Sequence, residues 1–236
     1  MSLQINDKKI VAEQIFELRH DASGAFLDAR GAIADFVREN KLFPHWKIDP
    51  NIVNFYDIPT KIDKEGASIG YKSINYIVFN PETTNYFQDK ASSFFKKILR
   101  NINYKIPENL TRFGLRTRVY FPSEKQFETI REMVFDTFYL KSVRDLIGGK
   151  EKDIFFVFDI VDGEFDVKIA GGPGRGGEIS AYFSFPNDDL NKTGIYLDID
   201  LSKTKNLKLD SIQRLIHDSN ELVWAKVKKF HLTLGI

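Results

Sequence analysis

The segment at residues 112–121 constrains the fold most strongly, because two kinds of residue alternate along its whole length. The alternating sets are Phe113, Leu115, Thr117, Val119 and Phe121 against Arg112, Gly114, Arg116, Arg118 and Tyr120. Successive side chains of a β-strand point to opposite faces of a sheet. The segment therefore predicts a strand with one face in the core and one polar face, which is typical of antiparallel sheets.

Periodicity along the rest of the chain predicts the order β-α-β-β-α-β followed by α-β-β-β-β-α. The remaining strands are predicted at residues 10–20, 47–56, 68–79, 153–161, 165–170, 178–185 and 194–201. Helices are predicted from residue 23 to about 40, from 81 to about 105, over 123–147 and over 210–233. Residues 59–66 are polar and predict a loop. Residues 153–161 are apolar on both faces and predict a central strand.

This order predicts an α+β fold in which helices cover an antiparallel sheet made of two fused ferredoxin-like halves. Residues 1–122 form the βαββαβ half. Residues 123–236 form a helix, a four-strand meander and a long C-terminal helix. No linker rich in proline, glycine and serine separates the halves.

Composition excludes several classes of function. Lys and Arg total 34 and Asp and Glu total 33, so the net charge of +1 excludes an obvious polyanion binder, although a local basic patch is allowed. The absence of cysteine excludes disulfides, thiolate metal sites and cysteine nucleophiles. The sequence has neither an apolar leader nor a membrane-length apolar run, so we expect a cytoplasmic protein without a membrane span.

Several short motifs occur together in one order along the chain. They are Glu17, Leu18 and Arg19; Arg112, Gly114, Leu115 and Arg116; Leu197, Asp198 and Asp200; and His217 and Phe230. In this respect the chain resembles a sporadically distributed bacterial protein family of unknown function. The resemblance implies no activity and no cofactor. It does imply a bacterial context in which such genes often lie beside mobile-element or phage-defence genes.

Arg112, Arg116 and Arg118 form the first candidate site, because alternation places all three on one face of a strand. An exposed arginine row can bind phosphate or an acidic partner. It can equally be a polar face that is paired with acids of neighbouring strands. Asp198 and Asp200 share one face of their strand and are the natural partners.

Those two aspartates, with Asp159, also raise the alternative of a divalent-metal site for phosphoryl transfer. Carboxylates at positions i and i+2 of a strand lie within reach of one cation. The string around Asp159 superficially resembles the metal-binding strand of nucleotidyl cyclases and palm-type polymerases. The second acidic hairpin that such enzymes need is not evident in the sequence.

Two further candidate contact regions lie in the second half. The segment 171–177 is rich in glycine and predicts a loop between strands, with Gly174 and Arg175 at its tip. On the last helix, His217, Trp224 and His231 recur every seven residues and form a stripe beside the apolar face.

The leading hypothesis is a non-catalytic interaction or regulatory protein without a cofactor, serving as the accessory subunit of a bacterial two-gene system of the defence or toxin–antitoxin kind. A protein partner is expected. The alternatives are nucleic-acid or nucleotide binding through the arginine row, and metal-dependent phosphoryl transfer.

Overall fold

Nine strands form one antiparallel sheet in the described part of the chain, residues 4–5, 8–101, 104–149 and 151–235 of the computed structural model. In chain order they are β1 (Val11–His20), β2 (His45–Asp49), β3 (Ile52–Ile58), β4 (Lys61–Gly70), β5 (Ser73–Phe79), β6 (Leu110–Ser123), β7 (Phe156–Asp162), β8 (Phe165–Gly174) and β9 (Thr193–Lys203). Gln4–Ile5 and Lys8–Lys9 pair separately as a short antiparallel ladder.

The sheet order is β2-β3-β4-β5-β1-β6-β9-β8-β7. The two long strands β1 and β6 lie side by side in the middle. Outward from β1 come β5, β4 and β3, and outward from β6 come β9, β8 and β7. The second half of the chain thus repeats the connectivity of the first, and its opening strand is hydrogen-bonded to the opening strand of the first.

The described residues also form five α-helices, four of which bury residues against one face of this sheet. They are α1 (Gly24–Glu39), α2 (Tyr86–Ile98), α3 (Phe127–Phe138), α4 (Ser142–Ile147) and α5 (Ile212–Leu234). The buried residues of α1, α2, α3 and α5 share one core with alternate residues of the strands. Phe16 of β1, for example, contacts Phe95 of α2 at a ring-centroid distance of 6.2 Å. No helix in the described residues is long and apolar enough to cross a membrane.

The opposite face of the sheet lies away from the core that these four helices share, and we call it the open face. One segment, residues 175–192 between β8 and β9, crosses it. Ile179, Phe183 and Leu190 of this crossing segment cover Tyr120 and Tyr196 in a second, smaller apolar cluster. Residues 178–185, predicted as a strand, instead begin with the 3-10 turn Ile179–Tyr182, so that prediction is wrong.

The first half contains more strands than the sequence predicts. Residues 61–66, predicted as a loop, belong to β4, and the predicted strands 47–56 and 68–79 each contain a tight turn that divides them into two. Four strands therefore lie between α1 and α2, and the β-α-β-β-α-β order of a ferredoxin-like half is not found there. Strand β6 runs to Ser123, across the boundary predicted after residue 122. The α+β class and the helix-covered antiparallel sheet are confirmed.

The apolar strand predicted to be central lies at an edge of the sheet. Strand β7 pairs with β8 on one side, and no described strand pairs with its other side. Only its first residue, Phe156, is buried. The composition of a strand buried on both faces is thus present in a strand whose residues after Phe156 are largely exposed on both faces and whose outer edge pairs with no described strand.

Candidate functional site

The arginine row lies on the open face, in the middle of the sheet. Arg116 and Arg118 project from β6 between β1 and β9, and the acids of those neighbouring strands flank them. The charged residues that share this region are Glu13, Glu17, Arg112, Arg116, Arg118, Asp198 and Asp200. We call this set the charged row. It brings together the three predicted arginines and two of the three predicted aspartates.

Arg116 and Asp198 form the best-aligned pair of the charged row. The Arg116 Nε donates to Asp198 Oδ1 at 2.9 Å and its Nη2 donates to Oδ2 at 2.5 Å, which is a bidentate arrangement. This carboxylate raises the pKa of Arg116 above its ordinary value. Tyr196 donates its hydroxyl to the same carboxylate at 3.3 Å. Asp198 is therefore fully engaged within the protein.

Arg112 reaches its two partners by lying across a glycine. Its Nη1 is 3.1 Å from Glu17 Oε2 and its Nη2 is 3.3 Å from Asp200 Oδ1. The intervening residue on β6 is Gly114, and a Cβ built there would clash with the guanidinium. Burial raises the pKa of Asp200, and the nearby Arg112 opposes that rise.

Arg118 is paired with a carboxylate that is completely buried. The Glu13 side chain has no exposed surface, and its Oε1 accepts from Arg118 Nη1 at 2.7 Å. Its Oε2 accepts from the backbone N–H of Ser184 at 2.8 Å. Glu13 therefore joins the charged row to the crossing segment. The predicted pairing with Asp198 and Asp200 is found for Arg116 and Arg112, and the row as a whole contains four carboxylates and three guanidinium groups.

The three aspartates considered for a metal site do not converge. Asp159 lies on β7, two strands away from Asp200 on β9, and Lys168 of β8 lies between them in the ladder. These residues line a shallow groove of about 440 Å³. Among the described residues, no three His, Cys, Asp or Glu side chains are arranged to hold a metal ion.

The glycine-rich segment is not the loop that the sequence predicts. Residues 171–174 complete β8 and pair with β9 from Leu197 back to Gly194. Arg175, which is partly exposed, then stacks on Phe127 at 3.8 Å from the ring centroid and pairs with Asp153 at 3.1 Å. Gly174 and Arg175 line a cavity of about 420 Å³ together with Tyr182 and Tyr196. They hold the start of the crossing segment in place.

The predicted stripe on the last helix has one exposed member. His217 is half-exposed, and its Nδ1 lies 3.3 Å from Gln88 Oε1. Trp224 is buried in the main core. His231 is also buried, with its ring 5.3 Å from that of Phe121. The heptad spacing thus follows the buried face of α5, and the three residues do not form one surface.

Strand β7 presents a feature that the candidate list did not contain, an exposed apolar edge. Four of its apolar side chains, and that of Phe155 directly before it, are exposed over between 40% and 76% of their surface. The four in the strand are Val157, Phe158, Ile160 and Val161. Phe158 and Ile160 point to the helix side, where Phe158 contacts Phe138 of α3. The other three point to the open-face side. Unpaired edge strands with apolar side chains on both faces are rare in monomers.

A second exposed apolar group follows in the segment that leads to β7. Leu140, Leu146 and Ile147 are exposed over 76%, 85% and 53% of their surface. The last two belong to α4, which is held in place because Arg144 pairs with Glu151 at 2.6 Å and stacks on Phe135. Tyr139, just before it, donates its hydroxyl to the Phe155 carbonyl at 3.0 Å. We call β7 with Phe155, together with these three residues, the apolar end.

Comparisons with known proteins identify no family for this chain. No protein-family model matches it, and no curated protein sequence matches it significantly. The resemblance drawn from the short motifs therefore stays a prediction. The motif residues themselves, Glu17, Arg112, Gly114, Arg116, Asp198 and Asp200, come together in and around the charged row.

Proposed function

We propose that this chain is a non-catalytic protein-interaction module, and that its apolar end is the docking surface. The single observation that carries the proposal is β7, a strand with the composition of a buried strand and with no described strand paired to its outer edge. Binding of a partner that removes apolar surface of this kind from water is favourable in free energy. The partner we expect is a protein, in the cytoplasm of a bacterium, as in a two-gene system.

The charged row supports this proposal over nucleic-acid binding. Affinity for a polyanion depends on arginines and lysines that can exchange their counterions for phosphates. Here Arg112, Arg116 and Arg118 are each paired with a carboxylate of β1 or β9. A phosphate would have to displace these carboxylates. The separation of Asp159 from the other two aspartates gives a metal-dependent enzyme no specific support.

The proposal is tested by affinity capture from the native host after nuclease treatment. The double variant Leu146→Lys with Ile147→Lys places charge on α4, where both side chains are exposed, so the fold should be retained. We expect the wild type to retain a stoichiometric protein partner and the double variant to lose it, because burying an unpaired charge opposes docking.

Leu232→Lys is the matched control. Leu232 is 67% exposed and lies two positions after Phe230, so it points to another side of α5 from the aromatic cluster at β7. This variant should retain the partner. A partner that binds all three proteins equally, or recovery of nucleic acid alone, would contradict the proposal.

A further inference from the structure

Strand β7 has the sequence of a central strand and the position of an edge strand. Phe155, Val157, Phe158, Ile160 and Val161 surround a single charge, Asp159, in the exposed stretch. Edge strands of monomers usually carry lysines, prolines or bulges that prevent further pairing. The opposite edge strand, β2, has such protection, because Lys47 and Asp49 pair with each other at 2.8 Å on its surface. The composition of β7 is explained if something pairs with it.

We propose that β7 pairs antiparallel with β7 of a second copy of this chain, about a two-fold axis perpendicular to the sheet. This proposal rests on the proposed function, and it names the occupant of the strand portion of the apolar end. The two sheets become one continuous sheet of eighteen strands, nine from each copy. The two β7 strands then lie at its centre, the position that their composition fits.

The symmetry restricts the register to a few choices. A perpendicular two-fold axis keeps the helices of both copies on the same side, so residues that face each other must point to the same side of the sheet. The axis therefore passes midway between the two copies of one β7 residue, which face each other across it. An axis at Asp159 would place two like charges opposite each other, which is destabilising.

An axis at Phe158 gives a self-complementary apolar ladder. Phe158 then faces Phe158 of the partner subunit, and Phe156 faces the partner's Ile160, all on the helix side. On the open-face side, Phe155 faces the partner's Val161. Aromatic and β-branched residues are the cross-strand pairs that stabilise antiparallel sheets best.

The charges near β7 fit the same register. Asp159 faces the partner's Val157, which is uncharged, and keeps Lys168 as its cross-strand neighbour within its own sheet. Every other pair from Phe155 to Val161 in this register is apolar, and no charged residue of the strand faces its own copy. This self-complementary spacing about Phe158 is the feature that favours a second copy of the chain.

The mass of the purified full chain in sedimentation equilibrium tests whether the dimer forms. We expect twice the monomer mass of 27.3 kDa at micromolar concentration. The double variant Val157→Lys with Val161→Lys should sediment as a monomer, because it places cations on the edge. The matched control Ile48→Lys alters an exposed residue of the opposite edge strand and should remain a dimer. A monomeric wild type, or a double variant that remains dimeric, would overturn the proposal.

A cysteine placed on the axis tests the register directly, because the natural chain contains no cysteine. Phe158→Cys should cross-link to itself through a short bis-maleimide, since opposite Cβ atoms in antiparallel strands are about 5 Å apart. Val157→Cys, one residue from the axis, should also cross-link and serves if the first variant folds poorly. Val161→Cys is the control, because two such residues would be about 20 Å apart along the strands. Efficient cross-linking of Val161→Cys alone would overturn this register.

The two proposals fail in distinguishable ways. If β7 takes up a different protein and no second copy, the wild type is monomeric when pure, and the affinity capture still recovers a partner through α4. If the dimer forms but no other protein is captured, the second-copy proposal stands and the heterologous partner of the proposed function is lost.

Discussion

At the scale of single residues, the glycines of the central strands are explained by the atoms that occupy the place of a side chain. Gly114 lies beneath the Arg112 guanidinium, whereas Gly194 of β9 faces the Phe121 carbonyl and the Tyr120 ring. The first neighbour is the end of a flexible side chain, and the second is a backbone atom in the middle of the sheet. The same substitution should therefore cost different amounts at the two positions.

Gly194→Ala should lower the free energy of unfolding by about 1–3 kcal/mol, because the added methyl group forces two strands apart. Gly114→Ala should cost less than about 1 kcal/mol, since a partly exposed ion pair contributes little and alanine fits a strand better than glycine. Urea unfolding of both variants measures the difference. Equal losses would mean that the sheet relaxes around residue 194.

His20 makes stability depend on pH. Burial lowers the pKa of His20 from 6.5. The hydrogen bond between its Nδ1 and the Asp21 carbonyl oxygen, which are 2.7 Å apart, partly offsets this lowering. Between the lowered pKa and 6.5, the unfolded chain binds a proton that the folded chain does not. Stability from this group is therefore complete above pH 6.5 and decreases as the pH falls below it.

The slope should reach at most about 1.4 kcal/mol per pH unit, the value for one proton. Unfolding free energies measured between about pH 5.5 and about pH 7.5, roughly one unit on either side of the ordinary histidine pKa, test this. The His20→Gln variant should remove the slope. A slope that persists in this variant would assign the effect to other groups.

At the scale of elements, Glu13 determines how firmly the crossing segment is attached. Glu13→Ala leaves Arg118 without its partner and also leaves the Ser184 N–H without an acceptor, so we expect a loss of about 3 kcal/mol. Glu13→Gln keeps an acceptor for Ser184 and should cost less. Hydrogen exchange of residues 183–185 should rise most in the alanine variant. Unchanged exchange there would show that Phe183 and Leu190 hold the segment by packing alone.

Sequence periodicity was sufficient to predict the elements that have one side in the core and one side outside it. Strands β1, β6 and β9 and helix α5 were predicted within a few residues, because one side of each meets the core and the other does not. The first part of β4 was missed. It is a polar hairpin arm, and Asp57 supports it by accepting the backbone N–H groups of Asp63, Lys64 and Glu65. Such a contact between the two arms of a hairpin leaves no periodic signal.

In the crossing segment, by contrast, the sequence has a clear period of two residues, and this period predicted a strand that the structure does not contain. Ile179, Ala181, Phe183 and Phe185 alternate as they would in a strand. The 3-10 turn nevertheless places Ile179 and Phe183 together over Tyr120 and Tyr196. The preceding Gly177, with φ of 84°, reverses the chain at a conformation that favours glycine. Residue type indicated burial correctly, and tertiary packing determined the conformation.

The sequence predicted the three arginines and two of the four acids of the charged row, but it missed the pairing with Glu13 and Glu17 and it missed the apolar end. Alternation alone places Arg112, Arg116 and Arg118 on one face, and the acids on β9 were identified as partners. By contrast, the apolar composition of β7 predicts burial, and only the sheet order reveals that the strand is at an edge. The signal that identifies this site is therefore the disagreement between composition and position.

At the scale of the whole molecule, the two halves should unfold together. Strands β1 and β6 are hydrogen-bonded along their length, and Gln14 of β1 donates to Thr117 of β6 at 3.3 Å and to Asn220 of α5 at 3.0 Å within the core. A boundary that contains backbone ladders and buried polar contacts cannot separate without loss of both halves.

The two tryptophans report directly on whether the halves unfold together, because Trp46 is in β2 of the first half and Trp224 is in α5 of the second. In Trp46→Phe and Trp224→Phe, the remaining tryptophan follows one half of the chain. Within each variant, the fluorescence and far-ultraviolet circular dichroism transitions should coincide in urea. A fluorescence transition that precedes the circular dichroism transition in one variant would show that its half unfolds independently.

The central position of β1 has a consequence for synthesis on the ribosome. Residues 11–20 leave the ribosome before the other strands of the large sheet, yet their neighbours in the sheet are β5 and β6, which end at residues 79 and 123. The strand emitted first therefore waits longest for its second neighbour, and one side of it stays open while about a hundred further residues are made. The middle of the sheet, where β1 pairs with β6, therefore forms late. A chaperone that shields residues 11–20 during that interval would determine the yield of folded protein.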